Sequence, residues 1–323
     1  MPHADVTLDP RFEVKVGSIN PVADGVIELV LVDPQGGLLP AWEPGAHLDL
    51  HLPNGLVRQY SLTSDVTDRG GYRVAVLREA NGRGGSDYIH DRLRVGDALV
   101  CAGPRNNFSL ESAKSYQFVA GGIGITPLLQ MIESAERSHI PWKLFYFGRT
   151  RGSMAWADEL QERYPARVRI RPDEIFGPPD LATELGELEE GELTYACGPP
   201  GLLDALSSHL GEAAREVLHI ERFTPADPEA LEADGRPFTV TLDRSGIELE
   251  IPADKSILQV MEERGVPVIA SCREGTCGTC ETAIIAGEAE HRDSILSEDE
   301  KEENESMMIC CSRSKGDGLV IDA

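Results

Sequence analysis

Hydrophobic and polar positions in the first third of the chain alternate in short runs. Val26-Ile-Glu-Leu-Val-Leu-Val32, Ala46-His-Leu-Asp-Leu-His-Leu52 and Tyr72-Arg-Val-Ala-Val-Leu77 follow the period of two expected of half-buried strands. Gly, Pro and Asp turns separate them, and no long helical pattern intervenes before Ser86-Asp-Tyr-Ile-His-Asp91. Residues 1–112 therefore predict a small closed antiparallel β-barrel. From Tyr116 the rhythm becomes strand, helix, strand, helix. Strands are expected at Gln117–Ala120, Leu144–Phe147, Arg167–Arg171 and Leu193–Ala196. Helices are expected at Pro127–Ser138, Met154–Tyr164 and Leu202–Ala214. That alternation over 113–226 predicts a parallel sheet with crossover helices, which binds ligands off the carboxyl ends of its strands.

An acidic, Pro- and Ala-containing stretch from Thr224 to Gly235 has no strand pattern and reads as a linker, with 227–236 as the domain boundary. The last domain, 237–323, opens with a hairpin, Phe238–Leu242 and Ile247–Ile251, and a helix, Ser256–Arg264. A loop carrying three cysteines follows.

Those cysteines carry the sharpest chemistry. Cys272, Cys277, Cys280 and Cys310 are spaced C-x4-C-x2-C, then twenty-nine residues, then C, the arrangement of plant-type [2Fe–2S] ferredoxins. The cluster needs soft thiolates, two per iron. Gly275 and Gly278 allow positive φ, so that amides can turn toward the sulfurs. A zinc site would bring a second C-x2-C knuckle or a Cys/His pair, and His291 has no partner at such spacing. Cys311 follows Cys310 directly. A strand points successive side chains to opposite faces, so only one of the two can face the cluster. The spacing selects Cys310, leaving Cys311, like Cys101, as a buried apolar residue.

Three further segments suggest cofactor contacts. Arg58-Gln-Tyr-Ser61 ends a strand with a cation, an aromatic ring and a hydroxyl in close succession, which suits a flavin, although a plain barrel strand reads the same way. Asn81-Gly-Arg-Gly-Gly-Ser86 precedes a helix. Its glycine amides, Arg83 and Ser86 could receive a phosphate; the alternative is a flexible hairpin loop. Gly121-Gly-Ile-Gly-Ile-Thr-Pro127 joins a strand to a helix, with Thr126 as the expected cap and Pro127 in the first turn. Gly148-Arg149 and Cys197-Gly-Pro-Pro200 fall at strand ends on the same sheet edge. Cys197 reads either as a neighbour of a nicotinamide or as a core thiol.

In this order, these motifs resemble the phthalate dioxygenase reductase family, which includes vanillate O-demethylase reductases, over nearly the whole chain. The resemblance implies an FMN-binding barrel, an NADH-binding α/β domain and a β-grasp ferredoxin domain. It implies that Arg58, Tyr60, Ser61, Ala75, Val76, Leu77, Arg83, Gly84, Gly85 and Ser86 hold FMN, flanked by Thr126 and Phe223. Gly122, Gly124, Arg149, Cys197 and Gly198 would serve the dinucleotide. Cys311 departs from the apolar residue expected there. The implied activity is hydride transfer from NADH to FMN, then one-electron transfer through the cluster to an oxygenase component of the Rieske non-haem iron type. No residue need act as a general base, because such transfer depends on alignment.

Composition adds limits. The net charge of −25 disfavours nucleic acid and anionic membranes as partners. The acidic run Glu298–Glu305 is a solvated face or a steering surface for a basic redox partner. No apolar leader follows Met1, and the most apolar stretch, Phe118–Ile132, is interrupted and short, so a soluble cytoplasmic protein is expected; a monomer is expected as well. Two other functions fit the same motifs: a reductase feeding a cytochrome P450 or a separate ferredoxin, and a non-enzymatic redox or metal sensor.

Overall fold

The computed structural model describes residues 11–80, 82–225, 227, 229, 231 and 235–323. The chain divides into two compact units, Met1–Glu221 and Arg222–Ala323. Much of the expected linker, residues 226, 228, 230 and 232–234, lies outside the described residues.

The first unit contains two sheets. Strands β1 (Arg11–Ala23), β2 (Val26–Val32), β3 (His47–His51), β4 (Val57–Ser61), β5 (Tyr72–Leu77) and β6 (Ala98–Arg105) form an antiparallel sheet of order β4-β3-β6-β1-β2-β5. A bridge between Leu62 and Val74 joins its two edges, rolling the sheet into a barrel. Along β5, Tyr72, Val74 and Val76 enter the barrel core with Leu29, Leu48 and Leu50. The alternate residues Ala75 and Leu77 point away from it. Helix α1 (Gly85–Asp91) follows β5.

The second sheet is wholly parallel, of order β11-β10-β7-β8-β9: β7 (Ser115–Gly121), β8 (Trp142–Gly148), β9 (Val168–Pro172), β10 (Glu192–Cys197) and β11 (Leu218–Glu221). Its first strand, β7, is buried along its whole length, as a central strand covered on both faces must be. The chain leaves β7 for β8 on one side and later returns to β10 on the other. The carboxyl ends of β7 and β10 are therefore the topological switch point, where such sheets open a crevice.

The helices are α2 (Ile125–Arg137), α3 (Ala157–Arg163), α4 (Asp173–Phe176), α5 (Leu181–Leu185), α6 (Pro200–Leu210) and α7 (Ala214–Val217). Two expected helices are shorter than their apolar pattern. The one expected over Met154–Tyr164 starts only at Ala157, after Trp156 adopts φ 56°. The one expected over Leu202–Ala214 ends at Leu210, because Gly211 takes φ 58° and the backbone re-forms as a short 3₁₀ turn before α7.

The barrel and parallel sheet pack within this unit. Gln130 Nε2 donates to the Thr63 carbonyl (3.1 Å). Asp24 N–H donates to the Gly152 carbonyl (2.8 Å). Ala75, Val26 and Ala155 form a small apolar cluster, with Leu77, Ile123 and Trp156 packed on it.

The second unit carries a five-stranded sheet of order β13-β12-β18-β14-β16: β12 (Phe238–Leu242), β13 (Ile247–Ile251), β14 (Glu281–Ala286), β16 (Ser306–Met308) and β18 (Gly318–Ile321). Only β12–β18 is parallel. The helix Ile257–Glu263 covers it, started by a Ser256–Gln259 capping box. A small ladder pairs β15 (Ala289–Glu290) with β17 (Arg313–Ser314). This is the multidomain α/β plus β architecture expected from the pattern, with a ferredoxin-like last unit. Among the described residues, no helix is long and apolar enough to cross a membrane.

Candidate functional site: a glycine-lined crevice and a four-cysteine loop

At the switch point, the loops after β7 and β10 touch backbone to backbone. A Cβ on Gly124 would lie 2.2 Å from the Cys197 carbonyl oxygen, and one on Gly198 would lie 2.9 Å from Gly121 Cα. Gly121, Gly124 and Gly198 thus serve contact between the two loops. Gly122 differs: it has φ 54° and open space where a side chain would be, so it is the glycine that a ligand can approach. Thr126 is not the helix cap. Gly124 occupies the cap, and Thr126, one residue inside α2, donates its hydroxyl to the Ile123 carbonyl (3.0 Å). Tyr146, unnoticed in the sequence, fixes this loop by donating to the Gly122 carbonyl (3.0 Å).

Cys197 is fully buried, and burial, reinforced by Glu221, pushes its thiol well above the ordinary range. It therefore packs as a neutral thiol. Glu221 pairs with Cys197 in the β10–β11 register. Its Oε2 is buried with no hydrogen-bond partner, and burial pushes its carboxyl up to about 8, although the residue as a whole keeps some exposed surface. Sequence reasoning passed over Glu221. Its signal was an acid at the carboxyl end of a short strand. Arg149 is exposed, and its carbonyl accepts from Glu174 N–H.

On the barrel side, Arg58 donates to the Arg83 carbonyl (3.1 Å) and lies across Gly85, where a Cβ would be 2.5 Å from Arg58 Nε. Glycine at 85 is what lets the arginine reach the loop. Gly84 has φ 78° and open space beside it. Ser86 Oγ accepts from Glu79 N–H (3.1 Å), leaving its O–H as a donor. Asn81 lies outside the described residues. Ser61 Oγ is buried without a hydrogen-bond partner, an orphan that an isoalloxazine edge would satisfy. Tyr60 is half-buried, and desolvation raises its phenol far above its ordinary range. Val76 turns its side chain into the barrel core, and its carbonyl meets His90 Nε2 (3.0 Å). Ala75, by contrast, joins Val26 and Ala155 in an apolar cluster on which Leu77 and Ile123 of the glycine loop both pack. Phe223 falls in the second unit and is 43% exposed.

The cysteine loop of the second unit bends tightly, with positive φ at Arg273 (62°), Gly275 (69°) and Gly278 (71°). The turn aims two amides, of Glu274 and Thr276, at Cys272 Sγ, each at 3.4 Å. Such amide–sulfur bonds stabilise a thiolate ligand. Arg273, in an unfavourable backbone region for its type, is held by a two-point ion pair to Glu262 (2.9 and 2.6 Å). The Cys277 thiol donates to Thr279 Oγ1 (3.1 Å), a bond that reverses once the sulfur is a thiolate.

Pairing of β14 with β16, Glu281 opposite Met308, brings Cys310 to this loop. Cys272 interacts directly with both Cys277 and Cys310. Cys310 and Cys311 lie in a turn after β16, not in a strand, so alternation of faces does not separate them. Cys310 meets Cys272, whereas Cys311 Sγ sits over Gly275 of the same loop, 2.5 Å from where a Cβ would be, and against Cys310. Among the described residues, no three Cys, His, Asp or Glu side chains gather as a single metal ion requires. A binuclear cluster instead spreads its ligands over two irons, and the donor set here, soft sulfur with inward amides, fits it.

Comparison with known proteins bears on the barrel and on the cysteine unit. Residues 35–110 match the oxidoreductase FAD-binding domain, and 240–315 match the 2Fe-2S iron-sulfur cluster binding domain. These matches and the geometry define an oxidoreductase built on a flavin and a [2Fe–2S] cluster. The reductase subunit of phthalate 4,5-dioxygenase from Pseudomonas putida is 42% identical over 323 residues, 98% of each chain. Phthalate dioxygenase reductase of Burkholderia cepacia is 40% identical over 97% of this chain and 98% of its own. A solved phthalate dioxygenase reductase matches with a TM-score of 0.73 at 39% identity over 98% of both chains. An intact type IV self-sufficient cytochrome P450 monooxygenase matches with a TM-score of 0.87 at 35% identity; this chain spans 43% of it. The chain belongs to the phthalate dioxygenase reductase family.

Two substitutions test the geometry. Gly124→Ala forces a methyl onto the Cys197 carbonyl and should destabilise the first unit by about 1–3 kcal/mol in denaturant unfolding; an unchanged midpoint would contradict the contact. Cys310→Ser should abolish or severely weaken the visible absorbance of the cluster, whereas Cys311→Ser should leave it. The reverse result would reassign the ligand.

Proposed function

We propose that the chain is the NADH-dependent reductase component of a multicomponent oxygenase, with FMN as its flavin and a Rieske-type non-haem iron enzyme as its partner. The observation that carries this is the presence, on one chain, of an open glycine crevice facing the flavin strand and a separate four-thiol loop. When bound, the flavin accepts a hydride and the cluster relays single electrons. The chain's own residues do the rest. Gly122 leaves room for the pyrophosphate, Tyr146 fixes the loop, and Gly124, Cys197 and Gly198 set the crevice floor. Arg149 contributes from the end of the neighbouring strand.

FMN rather than FAD is supported by a single phosphate cradle at Arg83, Gly84, Gly85 and Ser86, with Arg58 drawn onto it, and by no evident adenine-stacking segment before Tyr116. Ser61 offers its unpaired hydroxyl to the ring edge, beside Tyr60 and the backbone of Ala75, Val76 and Leu77. Thr126 and Phe223 would flank the ring. NADH is favoured because two of the nearby cations are already matched: Arg151 pairs with Asp158, and Arg171 with Glu184. A cavity of about 280 Å³ lined by Phe145, Phe147, Arg169, Arg171 and Phe176 offers aromatic and guanidinium faces for the adenine end. Cys272, Cys277, Cys280 and Cys310 are proposed as the cluster ligands. The segments 1–112, 113–226 and 237–323, joined through 227–236, are proposed as the functional modules of a cytoplasmic monomer. A cytochrome P450 acceptor is the second reading, favoured by the self-sufficient P450 chain that contains a homologous segment.

Two measurements check this reading. Flavin released by heat should chromatograph as FMN; recovery of FAD would contradict the proposed cradle. A chain ending after Thr224 should still oxidise NADH with ferricyanide but lose reduction of cytochrome c and support of an oxygenase. Undiminished oxygenase support would show that electrons do not leave through the cysteine loop.

A further inference from the structure

We propose that His291 and Asp293 form a redox-linked proton site, in which His291 takes a proton from solvent when the cluster held by the neighbouring cysteine loop gains one electron. This rests on the reading of that loop as a [2Fe–2S] site. The His291 side chain is 7% exposed and that of Asp293 is 0% exposed, with Nδ1 and Oδ1 3.7 Å apart, in ion-pair range but beyond a hydrogen bond. Neither imidazole nitrogen nor Asp293 Oδ1 has a hydrogen-bond partner. Buried polar atoms are ordinarily paired, so three orphans side by side mark a place where a proton can be gained.

Asp293 is fixed in place. Its Oδ2 accepts from Ile295 N–H (3.2 Å) and Leu296 N–H (2.9 Å). It is also packed on the cysteine loop: a Cβ on Gly275 would lie 2.9 Å from Asp293 Cα, and Ser294 N–H donates to the Gly275 carbonyl (2.8 Å). Gly275 stands between Cys272 and Cys277, so an electron arriving there places its charge in the same poorly screened interior. The charged groups facing His291 are Asp293, Lys301 of the helix Glu298–Glu303 and Lys315 just after β17. Burial, then the two lysines, hold the imidazole below its ordinary value, against Asp293. That balance favours the neutral ring, the form able to accept a proton.

The step balances simply. One electron comes from reduced flavin, one proton comes from water, one N–H bond forms on His291, and no bond between heavy atoms changes. Net charge and hydrogen bonding set cluster potentials, so compensation by this proton should appear as a pH-dependent potential. Its sign follows from proton uptake on reduction: the potential falls as pH rises. The slope reaches at most about 59 mV per tenfold fall in proton concentration. It operates between the oxidised-state pKa of the imidazole and its higher reduced-state pKa.

The test is a potentiometric titration of the full-length, fully loaded protein, read by the EPR signal of the reduced cluster, at several values from roughly pH 6 to pH 8. The wild-type potential should fall with pH, His291→Gln should flatten it, and Asp293→Asn should move the sloping window to lower pH. A flat wild-type profile overturns the proposal whether or not either variant folds. So does a wild-type slope that persists in His291→Gln. Absence of any reduced-cluster signal would instead overturn the cluster reading beneath it.

Discussion

Everything at the crevice depends on how closely two pieces of backbone approach each other. The loops after β7 and β10 meet with no side chain between them, because Gly121, Gly124 and Gly198 leave no Cβ to intervene. That contact seals the floor of the switch-point crevice and leaves Gly122 as its open wall. It also buries Cys197 too deeply for thiolate chemistry. Ile123 of the same loop packs on the cluster that contains Ala75, so one close approach also fixes the spacing of this loop to β5.

The second unit solves a different problem with the same means. The cluster takes three sulfurs and inward amides from one short loop, and the backbone reaches that geometry through three left-handed residues within a stretch of six. Two are glycines. The third, Arg273, is held by Glu262, and the fourth sulfur arrives by strand register rather than by loop design. Division of the chain into two units matches the division of chemistry, hydride acceptance in one and single-electron relay in the other. It also explains why relatives named for phthalate, carnitine and toluene-4-sulfonate oxygenation share this architecture. Nothing in the reductase fold has to contact the compound being oxygenated.

What could be read from sequence followed locality. Strands with clean alternation, Val26–Val32, Tyr72–Leu77 and the hairpin Phe238–Leu242 with Ile247–Ile251, have the bounds their pattern predicts. Strands β1 and β6 were missed because Gly17, Pro21, Gly103 and Pro104 interrupt their alternation. The cysteine set was legible because ligand chemistry is written in residue type and spacing. The separate tasks of Gly122 and Gly124 were not, since a contact seventy residues away, at Cys197, decides them. Tyr146 and Glu221 were invisible for the same reason: each matters through what lies on the next strand.

The central claim is an ordered path, from dinucleotide through flavin to cluster, along one chain. Anaerobic rapid mixing of the intact protein with NADH, followed by flavin absorbance and by freeze-quench EPR of the cluster, tests it most directly. Flavin bleaching should come first and the cluster signal should follow from it, and flavin-depleted protein should leave the cluster oxidised. Cluster reduction at an unchanged rate without flavin would contradict the path.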